Sequence, residues 1–448
     1  MSSIEEFLSK KKPSNYGEKL LKELGKLNER LNAFNNITSN LGEGMPFSVK
    51  DNICVKGVET TASSKILKGY LPAFNATVVQ RMLDNNFSFL GKTNMDEFGF
   101  GSFGINSEKA ARNPFDEKYV AGGSSSGAAI ATSVLKYHVA IAESTGGSIS
   151  TPAAFCGVVG FTPTYGALSR YGLIDYSNSL DKIGVMARHA VDAKYVFDMI
   201  RGSDSNDTTS IDAKYVSEDS KKVILIDQLI SGIDKEVESN FMKFVDKLEA
   251  MGYKIVHKTV PFIEKAIPTY YIIAMAEAST NLARYTGFKY GYKNEDFTER
   301  YNQFFTRARA NFGLEAKRRI VLGTFVRSAS VSDKYYAQAL KVRSILIREL
   351  SELLKEGFIL SPVMPIKVPT FEQINKLTAL ENYKMDIMTI PPNLCGFPHI
   401  SFPYAYHKGM PLAAQLITRH WNDDAILDTV DSWEKKFEYR FKYNLGEI

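Results

Sequence analysis

The chain is poor in the residues that build extracellular scaffolds and metal centres. Its 448 residues include only three cysteines and six histidines. Cys54, Cys156 and Cys395 are widely scattered and odd in number, which argues against a disulfide framework and against a Cys-rich zinc site, and points to a reducing compartment. No histidine stands in a motif with an acid and a serine, so a Ser-His-Asp hydrolase has nothing to rest on. Apolar runs of the roughly 18 residues that a spanning helix needs are missing. The N-terminus, MSSIEEFLSKKK, lacks an apolar secretory core, and Glu5 and Glu6 make it too acidic for a typical transit peptide. There is no internal repeat and no low-complexity linker, so the sequence reads as a soluble protein without separable domains.

What is present fits a large globular unit. Hydrophobic residues make up 44%, enough for a substantial core, and the net charge of +5 is only mildly basic, well short of a nucleic-acid coat. Residues 1–40 form an N-terminal helical segment, with Leu20, Leu21, Leu24, Leu27 and Leu31 at helical spacing. From about Pro46 to residue 200, strand-like and helix-like runs alternate, the mark of an α/β layer structure. A polar connection, Arg201–Asp212, leads to strand KVILID, a helix and strand YKIVHKTV. Residues 262–357 are mainly helical, ending in a long helix from Tyr335 to Glu356, and FILSPVMPI and CGFPHISFPYA return the chain to the core.

The densest chemistry lies in AGGSSSGAAIATSVLKYHVAIAESTGGSISTPAAFC, Ala121–Cys156. Two Gly-Gly-Ser turns, holding Ser124 and Ser148, flank an apolar run expected to be a buried helix. Glycine lets a carbonyl substrate approach the backbone closely, and successive amides in such a turn can point into one concavity. Thr145-Gly146-Gly147-Ser148 can therefore supply both a nucleophile and an oxyanion hole. A single Gly/Ser cluster is ordinarily a flexible connector; the pair around a buried run is what favours a site. Lys50 ends the apolar run FSVK. Such a lysine usually snorkels to the surface, but as a buried base it would have to be neutral near pH 7.

Three pattern matches lack their context. Gly99–Gly104 fits GxGxxG, but no apolar strand precedes it. Gly123–Gly127 fits GxSxG without a strong strand before it or an acid and histidine after it. Ser179–Lys182 fits SxxK without its companion motifs.

The strings PFSVKDNICVKGVETT, GKTNMDEFGFGS, RNPFD, GGSSSG, STGGSISTPAAFCGVVGFTPTYGALSRYGL and SLDKIG, with AKRRIVLGTF and PPNLCGFPHISFP further on, resemble the amidase signature family. GKTNMDEF and KRRIVLGTF are similar to the glutaminase subunits of tRNA-dependent amidotransferases within it. The resemblance covers most of the chain after residue 40. It implies one amidase signature domain over 41–448, a large mixed β-sheet covered by helices on both faces, with a catalytic core at about 45–202 and a helical subregion at about 262–357. It implies Ser148 as nucleophile, Ser124 as a bridging serine after a cis peptide bond, and Lys50 as base. The amides of Thr145, Gly146, Gly147 and Ser148 would form the oxyanion hole, Arg319 would hold the α-carboxylate of glutamine and Asp386 its α-ammonium. Partners implied are a B subunit carrying ATP and Mg, a small accessory subunit, and Glu-tRNA(Gln) as acceptor; no metal or cofactor is expected in this chain.

Where the family's motif reads SDTGGSIRQP this chain has Glu143-Ser144-Thr145-Gly146-Gly147-Ser148-Ile149-Ser150-Thr151-Pro152, so that its acid, arginine and glutamine positions have become Ser144, Ser150 and Thr151, which bears on the hydrogen bonds around the nucleophile. A divergent, Lys/Asn-rich version points to a mitochondrial branch, with the cytoplasm as the alternative. Two other functions stay open: a stand-alone amidase of small amides, and a silent assembly subunit.

Overall fold

A computed structural model describes residues 2–293, 300–437 and 441–447. Its centre is one mixed sheet of eleven strands among the described residues: β1 Phe34–Ile37, β2 Met45–Lys50, β3 Phe87–Thr93, β4 Val139–Ser144, β5 Val159–Thr162, β6 Lys182–Ala187, β7 Lys222–Ile226, β8 Lys254–Lys258, β9 Phe358–Pro362, β10 His399–His407 and β11 Met410–Ile417. They lie in the order β1-β3-β2-β4-β6-β5-β10-β11-β9-β7-β8. β3, β2 and β4 run parallel, β4 through β9 are antiparallel to their neighbours, and β9, β7 and β8 are parallel again.

Every residue of β2, β4, β5, β6 and β9 is buried. Strands covered on both faces lose the alternation of a half-exposed strand and read as continuous apolar runs. That is why VAIAES is informative: its one ionisable residue, Glu143, goes into the core with the rest.

The first forty residues contribute a strand as well as helices Ser3–Ser9 and Tyr16–Leu31, because β1 pairs antiparallel with β3. Between the two glycine-serine turns the expected helix is only half the answer. Helix Ser126–Val134 occupies the Ala-rich part, and the β-branched run that begins at Val139 is β4. The helix sits deep because its residues are small. A Cβ on Gly127 would lie 2.0 Å from the Ala33 carbonyl oxygen.

Two helices outside the sheet carry the far wall of the site. Helix Leu314–Val326 crosses helix Ala266–Asn281 so closely that a Cβ on Gly323 would lie 1.9 Å from the Met275 carbonyl oxygen. Among the described residues no helix is long and apolar enough to cross a membrane.

Candidate active site

Lys50 ends β2 with its side chain fully buried. Its Nζ donates to Ser124 Oγ at 2.8 Å, to the Glu143 carbonyl oxygen at 2.9 Å and to Glu143 Oε2 at 2.8 Å. Three donors with three acceptors is the complement of an ammonium group. The peptide bond before Ser124 is cis. Ser125 staples the two serine turns together, its N–H donating to the Ser148 carbonyl at 3.1 Å and its hydroxyl to the Glu143 carbonyl at 3.1 Å. Lys50, Ser124 and Ser148 are thus brought to one place from β2, the loop before helix Ser126–Val134 and the turn after β4.

Ser148 faces a buried cavity that it shares with Arg319 and Asp386. Free space inside is only about 20 Å³, so a substrate must push side chains aside. Tyr270 packs tightly on the glycine turn, since a Cβ on Gly146 would stand 2.5 Å from its hydroxyl. Gly147 has φ +143°, a conformation that a side chain would disfavour, and its N–H donates to Ser144 Oγ at 3.2 Å.

Arg319 is buried. Its Nε donates to Glu315 Oε1 at 3.0 Å, its Nη1 donates to the Tyr176 hydroxyl, and its guanidinium lies within 5.8 Å of the ring centres of Phe100, Tyr176, Tyr271 and Tyr383. Aromatic faces hold a planar cation in position without neutralising it. Asp386 Oδ2 accepts from the Tyr271 hydroxyl at 2.6 Å and from Ser102 Oγ at 2.9 Å. Burial pushes its carboxyl up to about 6. The Gly99–Gly104 run, a poor nucleotide loop by its context, proves to be a wall of this cavity through Gly99, Gly101 and Ser102. Lys182, of the SxxK match, instead donates to the Phe397 carbonyl at 2.8 Å.

Of the four positions that differ from the motif, Ser144, Ser150 and Thr151 are neutral replacements, while the fourth puts the acid Glu143 where the motif has serine. Ser144 Oγ donates to Asn393 Oδ1 at 3.1 Å, Thr151 Oγ1 lies 3.5 Å from Met364 Sδ, and the Ser150 hydroxyl is buried without a partner among the described residues. Glu143 was not singled out by sequence reasoning. The available signal was a lone acid in an otherwise apolar strand. Among the described residues no group of three or more His, Cys, Asp and Glu could hold a metal ion, and the three cysteines are buried free thiols.

Comparison with known proteins agrees with this architecture. The family profile described as Amidase matches residues 16–427. The A subunit of the glutamyl-tRNA(Gln) amidotransferase of Caldanaerobacter subterraneus subsp. tengcongensis is 38% identical over 413 residues, covering 89% of this chain and 84% of that protein. Its counterpart in Nitratiruptor sp. is 42% identical over 401 residues, covering 88% and 90%. The crystal structure of the A subunit of glutamyl-tRNA(Gln) amidotransferase from Thermotoga maritima superposes with a TM-score of 0.83 at 34% identity, over 99% of this chain and 97% of that one. A 6-aminohexanoate cyclic dimer hydrolase shares the fold, with a TM-score of 0.81 at 20% identity over 99% of this chain and 96% of that one.

Proposed function

The chain belongs to the amidase family, and from that premise we propose that it is the glutaminase subunit of a tRNA-dependent amidotransferase, releasing ammonia from glutamine for conversion of Glu-tRNA(Gln) to Gln-tRNA(Gln). One observation carries the choice of substrate: Ser148 shares its cavity with a buried Arg319 and a buried Asp386. A free amino acid needs both charges answered, its α-carboxylate by a planar guanidinium fork and its α-ammonium by a carboxylate. A small neutral amide needs neither, which weighs against the stand-alone amidase.

In this reading Ser148 Oγ attacks the side-chain carboxamide while its proton passes through Ser124 toward Lys50. The amides of Thr145, Gly146 and Ser148 hold the tetrahedral oxyanion, joined by Gly147 if its N–H turns from Ser144 Oγ. Ammonia leaves, and water then hydrolyses the glutamyl ester by the same relay in reverse. ATP and Mg belong to the partner B subunit, with a small accessory subunit completing the complex. The intact Lys50–Ser124 contact weighs against a silent assembly role.

The test is glutamine hydrolysis by the purified chain, alone and with a B subunit, ATP and Glu-tRNA(Gln). Ammonia release that rises with the partner and is abolished by Ser148→Ala is the expected result. Turnover of simple amides with no response to the partner would make the chain a free-standing amidase.

A further inference from the structure

Glu143 is placed where a spectator would not be. Its Oε2 accepts from Lys50 Nζ at 2.8 Å and from Asn52 Nδ2 at 3.1 Å, and its Oε1 lies 2.6 Å from Thr145 Oγ1. Thr145 Oγ1 also lies 2.8 Å from Asp181 Oδ1, while Asp181 Oδ2 accepts the N–H groups of Tyr176 and Ser177, each at 2.9 Å. One hydroxyl proton cannot serve both carboxyl groups. Burial, with the Glu143 charge beside it, pushes the Asp181 carboxyl well above the usual range, so Asp181 supplies the second proton. It donates to Thr145 and Thr145 donates to Glu143, so that Glu143, facing Lys50 Nζ and Asn52 Nδ2, accepts on both oxygens.

Lys50 and Glu143 are therefore a buried ion pair that is neutral as a unit. A neutral lysine would strand an uncompensated carboxylate in the core, which is costly. The remaining charges nearby are Asp96, which acts on Lys50 from the loop after β3, and Asp175 and Arg170, which act on Asp181.

We propose that Glu143 is the terminal proton acceptor of the serine relay, so that Lys50 rests as an ammonium ion and passes a proton on. As the Ser148 Oγ–C bond forms, Lys50 Nζ gives a proton to Glu143 Oε2, the lone pair this frees takes the Ser124 proton, and Ser124 Oγ takes the Ser148 proton. The pair goes from neutral to +1 as the oxyanion gains −1. When the C–N bond breaks, the proton returns along the same path to the leaving nitrogen, giving ammonia. Glu143 acts through Lys50, as a positioning and proton-accepting residue. The inference rests on Ser148 being the nucleophile of the proposed glutaminase, but not on glutamine being the substrate.

The test is the pH dependence of Ser148 phosphonylation by a serine-directed fluorophosphonate, in which the Oγ–P bond forms as fluoride leaves, followed by intact mass on the full chain, with glutamine hydrolysis measured in parallel. The fluorophosphonate carries no α-ammonium group, so Asp386 does not enter the profile. In the wild type the acid limb is expected where carboxylates rather than amines gain protons. In Glu143→Gln the base reverts to a neutral lysine. The limb is then expected to move up by about 2 pH units or more, with the rate at pH 7 falling roughly tenfold to a hundredfold and recovering at alkaline pH. Glu143→Ser should behave alike.

A wild-type limb above about pH 8 would overturn the proposal without any variant. So would a Glu143→Gln limb that stays put or moves down, the result if the carboxylate merely favoured the charged lysine. Absence of Ser148 labelling at every pH would also overturn it. Labelling with the expected profile but no glutamine hydrolysis would support the relay and sink the glutaminase reading alone.

Discussion

In the proposed glutaminase, Asp386 and Arg319 would act as a clamp whose two halves answer differently to pH. The arginine keeps its charge throughout the working range, whereas Asp386, held up to about 6 by burial, gains a proton as pH falls through that value. Below it the substrate ammonium loses its partner. The KM for glutamine is therefore expected to rise roughly tenfold from pH 7 to pH 5, with the rise absent in Asp386→Asn. Arg319→Lys should raise KM about tenfold to a hundredfold and change kcat less, because a point charge cannot replace the fork; steady-state kinetics decide both. Lys182 gives a stability prediction. Burial brings its ammonium down to about 7, so above that pH the folded chain has released a proton that the unfolded chain keeps until near 10.5. More protons on the unfolded state mean that this group adds stability as pH rises through that window. Lys182→Met should remove a slope of up to about 1.4 kcal/mol per pH unit, read as the difference between the two proteins in urea melts. Ser124 and Ser148 were legible in the sequence because short glycine-rich turns are local signals, whereas Lys50, at the end of a strand, was legible only with the family resemblance; the structure sets its Nζ 2.8 Å from Ser124 Oγ. Glu143 was not, because nothing in VAIAES says that its neighbour in space lies 93 positions earlier.

At the level of elements, the Arg319 helix owes its position to a missing side chain. Gly323, one turn on, lets helix Leu314–Val326 lie against the backbone of helix Ala266–Asn281, where a methyl group would meet both the Met275 carbonyl and, at 2.9 Å, Ser279 Cβ. Neither is the yielding end of a flexible side chain. Gly323→Ala is expected to lower stability by about 1–3 kcal/mol and to raise the glutamine KM by displacing Arg319, a pairing that unfolding curves and kinetics together can check. Elements whose signal is local were readable: strand KVILID is β7, and the long helix runs from Tyr336 to Glu356. Where the sequence reading went astray, one pattern hid another. The Ala-rich run before β4 made a helix-plus-strand look like one helix, and the leucine spacing of Tyr16–Leu31 drew attention from the short β1 behind it.

At the scale of the whole molecule the strand order could not be read in advance, because β3 pairs with β1 and β2, and β9 with β11 and β7, across long intervening stretches. The N-terminal segment matters here out of proportion to its size. Ile4 and Phe7 are fully buried, and Asp192 accepts from Ser2 Oγ at 2.5 Å and from the N–H groups of Ser3 and Ile4 at 3.0 and 3.1 Å. Removing residues 1–40 would strip β1 from β3 and leave a buried acid short of donors. A drop in melting temperature and self-association on size-exclusion chromatography are the expected outcomes, since a bared strand edge pairs with other chains. The groups of the proposed relay hang from the middle of this sheet, Lys50 at the end of β2 and Glu143 on the adjacent β4. The paired register stops at Val49 and Ile141, so Lys50 and Glu143 meet just beyond it, where the ladder between the two strands has ended. The contact exists only when both strand ends are in place, so turnover per milligram reports how many molecules have closed the middle of the sheet.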